Sequence, residues 1–159
     1  MSNAFGSFLG KWFGRGTTAD RAAGSKSSLS DDAVSEVWLY PDSEWLHKQT
    51  LLKARKIEQP VFQIGRRLSD AVHYPHDDPP DLLIVENPPY TISRLQCEIV
   101  IEADKVILRD LGSRIGTVLG DKRLRKGSRK PSSVVVPKGS HTLVLGYPDG
   151  PFRFRLEVR

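Results

Sequence analysis

Three arginines and a serine stand where short apolar runs give way to turns. Arg66 closes the run Phe62-Gln-Ile-Gly-Arg66. Ser93-Arg94 directly precedes an apolar stretch over 96–101. Arg114 lies in Leu108-Arg-Asp-Leu-Gly-Ser-Arg-Ile-Gly-Thr117, between Ser113 and the pair Gly116-Thr117. A guanidinium presents a planar fork of N–H donors that grips a phosphate bidentately, and a serine hydroxyl adds an O–H donor. The backbone of a Gly/Ser turn such as 113–116 offers further N–H groups to an anion. Together these residue types hold a negative group. No nucleophile is set beside a general base, and no glycine loop opens a helix to cradle a nucleotide. His73, His76, Asp77 and Asp78 are close in sequence, but Pro75, Pro79 and Pro80 among them mark an exposed loop rather than a metal site. The expected chemistry is binding without catalysis, with no cofactor and no metal.

Strands must position these residues. From residue 60 onward, runs rich in Val, Ile, Leu and Phe alternate with Gly, Pro and Asp: 61–65, 81–85, 96–101, 105–110, 116–119, 134–136, 141–145 and 152–158, with 36–40 ahead of them. Residues 152–158 alternate apolar and charged, as a strand with one dry and one wet face does. Many short strands with turn signals between them predict an all-β sandwich, whose loops converge at its ends. One helix is expected within 43–57, where Ser43 offers an N-cap ahead of Trp45, Leu46, Leu51, Leu52, Ala54 and Ile57. Cys97, the single cysteine, opens an apolar strand and reads as a small buried hydrophobe.

The order of these motifs resembles the forkhead-associated (FHA) domain: Gly65-Arg66, then Ser93-Arg94, then Asp110-Leu-Gly-Ser113 with Gly116-Thr117, then Val134-Val-Val-Pro-Lys-Gly139 and Leu143-Val-Leu-Gly146. The resemblance covers residues 60–159, and 36–40 supply a first strand. It implies a twisted sandwich of about eleven strands that reads phosphothreonine peptides at one end. Arg66 and Ser93 would bind the phosphate, with help from Arg94 and charge from Arg114. Gly65, Gln96, Ser113, Ile115, Gly116 and Thr117 would shape the loops. The family usually has His where this chain has Gln96, and Asn, which holds the ligand's main chain, where it has Ile115. The implied partner is a threonine-phosphorylated protein or peptide, with a Ser/Thr kinase upstream. The alternative is a degenerate FHA-like domain that binds proteins without phosphate. The connection over 67–80 is long and partly acidic, placed to cover the site or repel phosphate.

The remaining features bound the reading. Over 159 residues, 38% are apolar and 27% charged, which suits one sandwich domain over 36–159 behind a flexible segment over 1–35. Twenty-four Lys and Arg against nineteen Asp and Glu give +5, a surplus that favours anionic partners. No apolar run reaches the roughly 18 residues of a membrane span, and a lone cysteine suits a reducing, cytoplasmic setting. Phe5, Phe8, Leu9, Trp12 and Phe13 recur at helical spacing; this stretch (5–13) is a weak membrane- or partner-docking candidate. Thr17 and Thr18 in the tether are candidate sites for a self-inhibitory phosphorylation. The basic cluster Lys122, Arg123, Arg125, Lys126, Arg129 and Lys130 reads as a solvated hairpin loop. Nucleic acid is not its expected partner, because no aromatic residue is interleaved for base stacking.

Overall fold

The alternating C-terminal run is a strand in the computed structural model, Arg153–Val158, with Phe154, Leu156 and Val158 buried between exposed or half-buried neighbours. The structure describes residues 33–49, 52–69, 72–74 and 78–159; residues 5–13, Thr17, Thr18, Asp77 and His76 lie outside them. In chain order the elements are β1 (Val37–Pro41), α1 (Glu44–His47), β2 (Arg55–Ile57), β3 (Val61–Arg66), β4 (Leu82–Ile84), β5 (Cys97–Ile101), β6 (Val106–Asp110), β7 (Thr117–Leu119), β8 (Lys122–Leu124), β9 (Ser133–Val136), β10 (Gly139–Leu145) and β11 (Arg153–Val158).

These eleven strands form two sheets, ordered β2-β1-β11-β10-β7-β8 and β4-β3-β5-β6-β9. Phe62, Ile64, Ile99 and Leu108 of the second sheet join Leu39, Leu143, Leu145, Phe154 and Leu156 of the first in one buried cluster. Burying each such side chain stabilises the fold by about 1.5–3 kcal/mol, so this shared core fixes how the sheets face each other. Cys97 belongs to that core, and its burial pushes the thiol pKa well above the ordinary value. It behaves as the expected small hydrophobe.

Two expectations are corrected. The helix is a single turn, Glu44–His47, capped by Ser43, whose side chain accepts from the Leu46 N–H. Only Leu46 of that turn is buried, and the apolar residues that follow are spread around any helical axis, so no single face could hold a longer helix. Residues 55–57 instead form β2, pairing Ile57 with Val37 and Arg55 with Leu39. The basic cluster likewise starts in a strand. Leu119 faces Lys122 across the two-residue turn Gly120-Asp121, a hairpin connection that gives β8 a partner and buries Leu124.

β3 and β4 are the parallel pair, with Ile64 opposite Leu82 and Arg66 opposite Ile84. Parallel neighbours need a crossover, which accounts for the length of 67–81. The ends of β3, β6 and β10 and the starts of β5, β7 and β11 converge on one end of the sandwich. Arg66 N–H there donates to Ser93 O (3.0 Å), Leu111 N–H to Gln96 O (3.1 Å) and Gly146 N–H to Gly116 O (3.0 Å).

Candidate anion-binding site

Gln96 ties the loops of that end together. It is fully buried, its N–H donates to Ile64 O (2.9 Å), and its side-chain oxygen accepts from Ser93 N–H (2.9 Å). Its side-chain NH₂ donates to Gly116 O (2.6 Å) and Thr117 Oγ1 (3.2 Å). The side-chain amide, able to donate and accept at once, therefore holds the 93–96 turn to the start of β7, while the Gln96 main-chain N–H holds it to β3. Gly65 permits the approach: a Cβ there would lie 2.0 Å from Arg94 O and 2.8 Å from Pro80 Cγ. Gly116 has φ +123°, in the region that favours glycine, and a Cβ would meet Leu124 O at 2.9 Å.

The turn after β6 is organised by Asp110, a fully buried carboxylate. Its Oδ1 accepts from Gly112 N–H (3.0 Å), Ser113 N–H (3.1 Å) and Lys126 N–H (3.0 Å). Its Oδ2 accepts from Ser113 Oγ (2.6 Å) and Thr117 Oγ1 (3.0 Å). Ser113 and Thr117 are thus buried turn residues. Of the amides expected to face an anion, those of Ser113 and Arg114 are turned to internal acceptors, Asp110 Oδ1 and Ser93 Oγ (3.0 Å). Side chains supply the cationic donors for a ligand.

Those side chains line one open pocket of about 440 Å³, formed by Arg66, Tyr90, Ile92, Ser93, Arg94, Leu95, Leu111, Gly112 and Arg114. Arg66 Nε donates to Ile92 O (3.1 Å), and its guanidinium lies 3.6 Å from the Tyr90 ring centroid. The arginine is held by stacking and by a carbonyl, with no carboxylate among the described residues to neutralise it. Arg114 is anchored similarly, through a hydrogen bond to Tyr90 O. Arg94 is exposed and has no side-chain partner among the described residues. Ser93 Oγ receives the Arg114 N–H, which leaves its own proton to donate. Among the described residues, three cationic groups and the hydroxyl-bearing Ser93 and Tyr90 line this pocket, and no acidic residue does.

All four sequence-predicted ligand residues, Arg66, Ser93, Arg94 and Arg114, share this pocket. Ile115 does not: its side chain is buried, and its carbonyl accepts from Arg123 Nη2 (2.7 Å). Among the described residues of the long crossover over 67–80 none contributes to the lining, and Tyr74 ties its own part of it to the end of β3 by donating to Arg66 O (3.1 Å) and accepting Leu68 N–H (3.0 Å). Three contributors went unread in the sequence. Tyr90 packs on Arg66. Glu86 accepts Thr91 N–H (2.7 Å) and Ile92 N–H (2.9 Å) and so shapes the loop ahead of Ser93. Asp110 had a legible signal, an Asp followed two and three residues on by Gly and Ser, which is the signature of a side-chain-capped turn.

The fold has known counterparts. It is similar to the yeast Pml1 splicing factor, at 18% identity over 80% of this chain and 80% of that one, with a TM-score of 0.53. It is also similar to Mycobacterium tuberculosis EmbR in complex with a low affinity phosphopeptide, at 18% identity and a TM-score of 0.50. That match covers 77% of this chain but only 24% of EmbR. The FHA domain of an Arabidopsis thaliana hypothetical protein matches at 17% identity over 78% of this chain and 84% of that one, again with a TM-score of 0.50. No curated protein matches the sequence. At these identities the structures speak to the fold alone. The family model for the FHA domain matches residues 62–141, which is half of the chain and takes in every loop that lines the pocket; the chain belongs to the FHA domain family.

Proposed function

We propose that this chain is a phosphothreonine-peptide-binding adaptor module in protein-kinase signalling, acting in the cytoplasm. The observation that carries the reading is the lining of one open pocket by Arg66, Ser93, Arg94 and Arg114 with no acidic residue among the described ones. Arg66 supplies the buttressed fork for the phosphate, because stacking on Tyr90 restrains it while its terminal nitrogens have no internal acceptor among the described residues. Ser93 donates its hydroxyl proton to a phosphate oxygen, and Arg94 and Arg114 add charge from either side. Gly65, Gln96, Ser113, Ile115, Gly116 and Thr117 hold the loops in register. Gln96 serves where the family usually has His. The phosphopeptide in the similar EmbR structure supports the ligand class, and the threonine preference comes with the family resemblance.

A charge-assisted hydrogen bond contributes about 1.5–3 kcal/mol, so Arg66→Ala is expected to weaken binding roughly tenfold or more. A degenerate phosphothreonine peptide library titrated against both proteins by fluorescence anisotropy measures this. Equal affinity for the two, or none for either, rejects the reading.

The burial of Ile115 favours a second reading, a degenerate domain that binds proteins without phosphate, since no side-chain amide stands there to hold a ligand's main chain. Pull-downs before and after phosphatase treatment separate the two, because loss of partners is expected only from the first.

A further inference from the structure

The basic tract after β8 folds into a defined turn. Arg125 N–H donates to Pro131 O (2.9 Å), Ser128 Oγ to Arg125 O (2.8 Å) and Lys130 N–H to Ser128 Oγ (3.1 Å). This closes residues 125–131 on themselves and frames a second concavity of about 280 Å³, lined by Arg123, Arg125, Ser128, Arg129 and Lys130. Four cationic side chains and a hydroxyl meet there, with no acidic residue among the described ones. None of the four forms an ion pair among the described residues, and of their side chains only that of Arg123 donates to an acceptor there, the main-chain Ile115 O at 2.7 Å.

This concavity is braced against the first pocket. Asp110 Oδ1 accepts both Gly112 N–H, from the turn that lines the first pocket, and Lys126 N–H, from the basic turn, each at 3.0 Å. Arg123 reaches the carbonyl of Ile115, the residue next to Arg114. Two acid-free basic hollows therefore lie side by side at one end of the sandwich, their spacing set by one buried carboxylate and one hydrogen bond. Buried Ile115 stands between them and offers no polar side chain to a ligand's main chain.

We infer that the hollow lined by Arg123, Arg125, Ser128, Arg129 and Lys130 is a second anion subsite. It takes a second phosphate on the same peptide whose phosphothreonine occupies the first pocket. This rests on the phosphothreonine reading. Once the first phosphate is engaged, the second contact is intramolecular and gains from a high effective concentration. It thereby supplies grip that Ile115 cannot. A peptide fits better than a nucleic acid because no aromatic side chain lines the hollow to stack a base.

The test uses one phosphothreonine peptide with neutral flanks and a series in which a phosphoserine is scanned through each position on either side. At one or two spacings the doubly phosphorylated peptide should bind wild type about tenfold tighter than the parent, the worth of one good charge-assisted contact. Arg125→Ala combined with Arg129→Ala should erase that gain and leave the parent peptide's affinity within about twofold, since neither side chain lines the first pocket. No gain at any spacing, or a gain that survives the double substitution, overturns the subsite while the parent's binding still upholds the first pocket. A parent peptide that does not bind at all overturns the phosphothreonine reading and this inference with it. A single-stranded oligonucleotide that competes as well as the best doubly phosphorylated peptide also overturns it, by showing a general polyanion surface.

Discussion

The far end of the sandwich and the two basic hollows treat charge in opposite ways. Where β1 begins and β11 finishes, cations and anions pair off: Glu36 holds Lys56 at 2.7 Å and Arg159 at 3.5 Å, and Glu157 holds Arg159 at 3.3 Å. At the other end Arg153 pairs with Asp42 at 3.6 Å, but Arg66, Arg94, Arg114, Arg125 and Arg129, which line the two hollows, have no ion-pair partner among the described residues. Two carboxylates near them, Asp110 and Glu86, are turned toward backbone and hydroxyl donors instead. Exposed ion pairs add little stability, so leaving the second set unpaired costs the fold little. It leaves a positive field at one rim, where a ligand rather than the protein supplies the counter-charge.

The largest effect that bears on this contrast is expected from Asp110→Ala. Five donors would lose their acceptor, three of them backbone N–H groups, and the turns behind both basic hollows would lose their common support. Stability should fall by roughly 3 kcal/mol or more, read from the urea midpoint. A variant as stable as wild type would show that the cationic rim needs no buried anchor.

A smaller change is expected from Tyr90→Ala, which removes the ring beneath the Arg66 guanidinium. An exposed cation–π contact is worth about 0.5–1 kcal/mol, so phosphopeptide affinity should drop about two- to fivefold with the urea midpoint little moved. Unchanged or tighter binding would mean that the ring does not hold the arginine ready.

Glu36→Gln, at the paired end, should do least. Hydrogen bonds from Lys56 and then Trp38 hold the Glu36 pKa below its ordinary 4.5. The carboxylate's contribution is therefore present above that value and lost as pH falls through the lowered one. The small stability difference between wild type and variant, followed by thermal melts, should vanish in the same acid range. Phosphopeptide affinity at neutral pH should not change, and a drop would erase the distinction between that end and the hollows.

The strands were legible because alternation and β-branched runs impose a period of two wherever one face is buried. β2 and β8 escaped. Arg55-Lys-Ile57 and Lys122-Arg-Leu124 are three residues each, mostly charged, at sheet edges where one buried residue suffices. The helix was overextended because Ser43 announces a start, while nothing local announces that only Leu46 would find a core. Arg66, Ser93, Arg94 and Arg114 could be named because each has a distinctive neighbour in sequence. Tyr90, in a loop of prolines, has none.

From the residues alone came the alternating strands, the family resemblance and the identity of four cationic or hydroxyl donors, since residue type and local spacing carry those properties. Tertiary structure decided that Ile115 turns inward, that Gln96 ties three segments together, and that the basic tract lies beside the first pocket. Each of these depends on contacts between residues far apart in the chain, formed only when the two sheets close over their shared core.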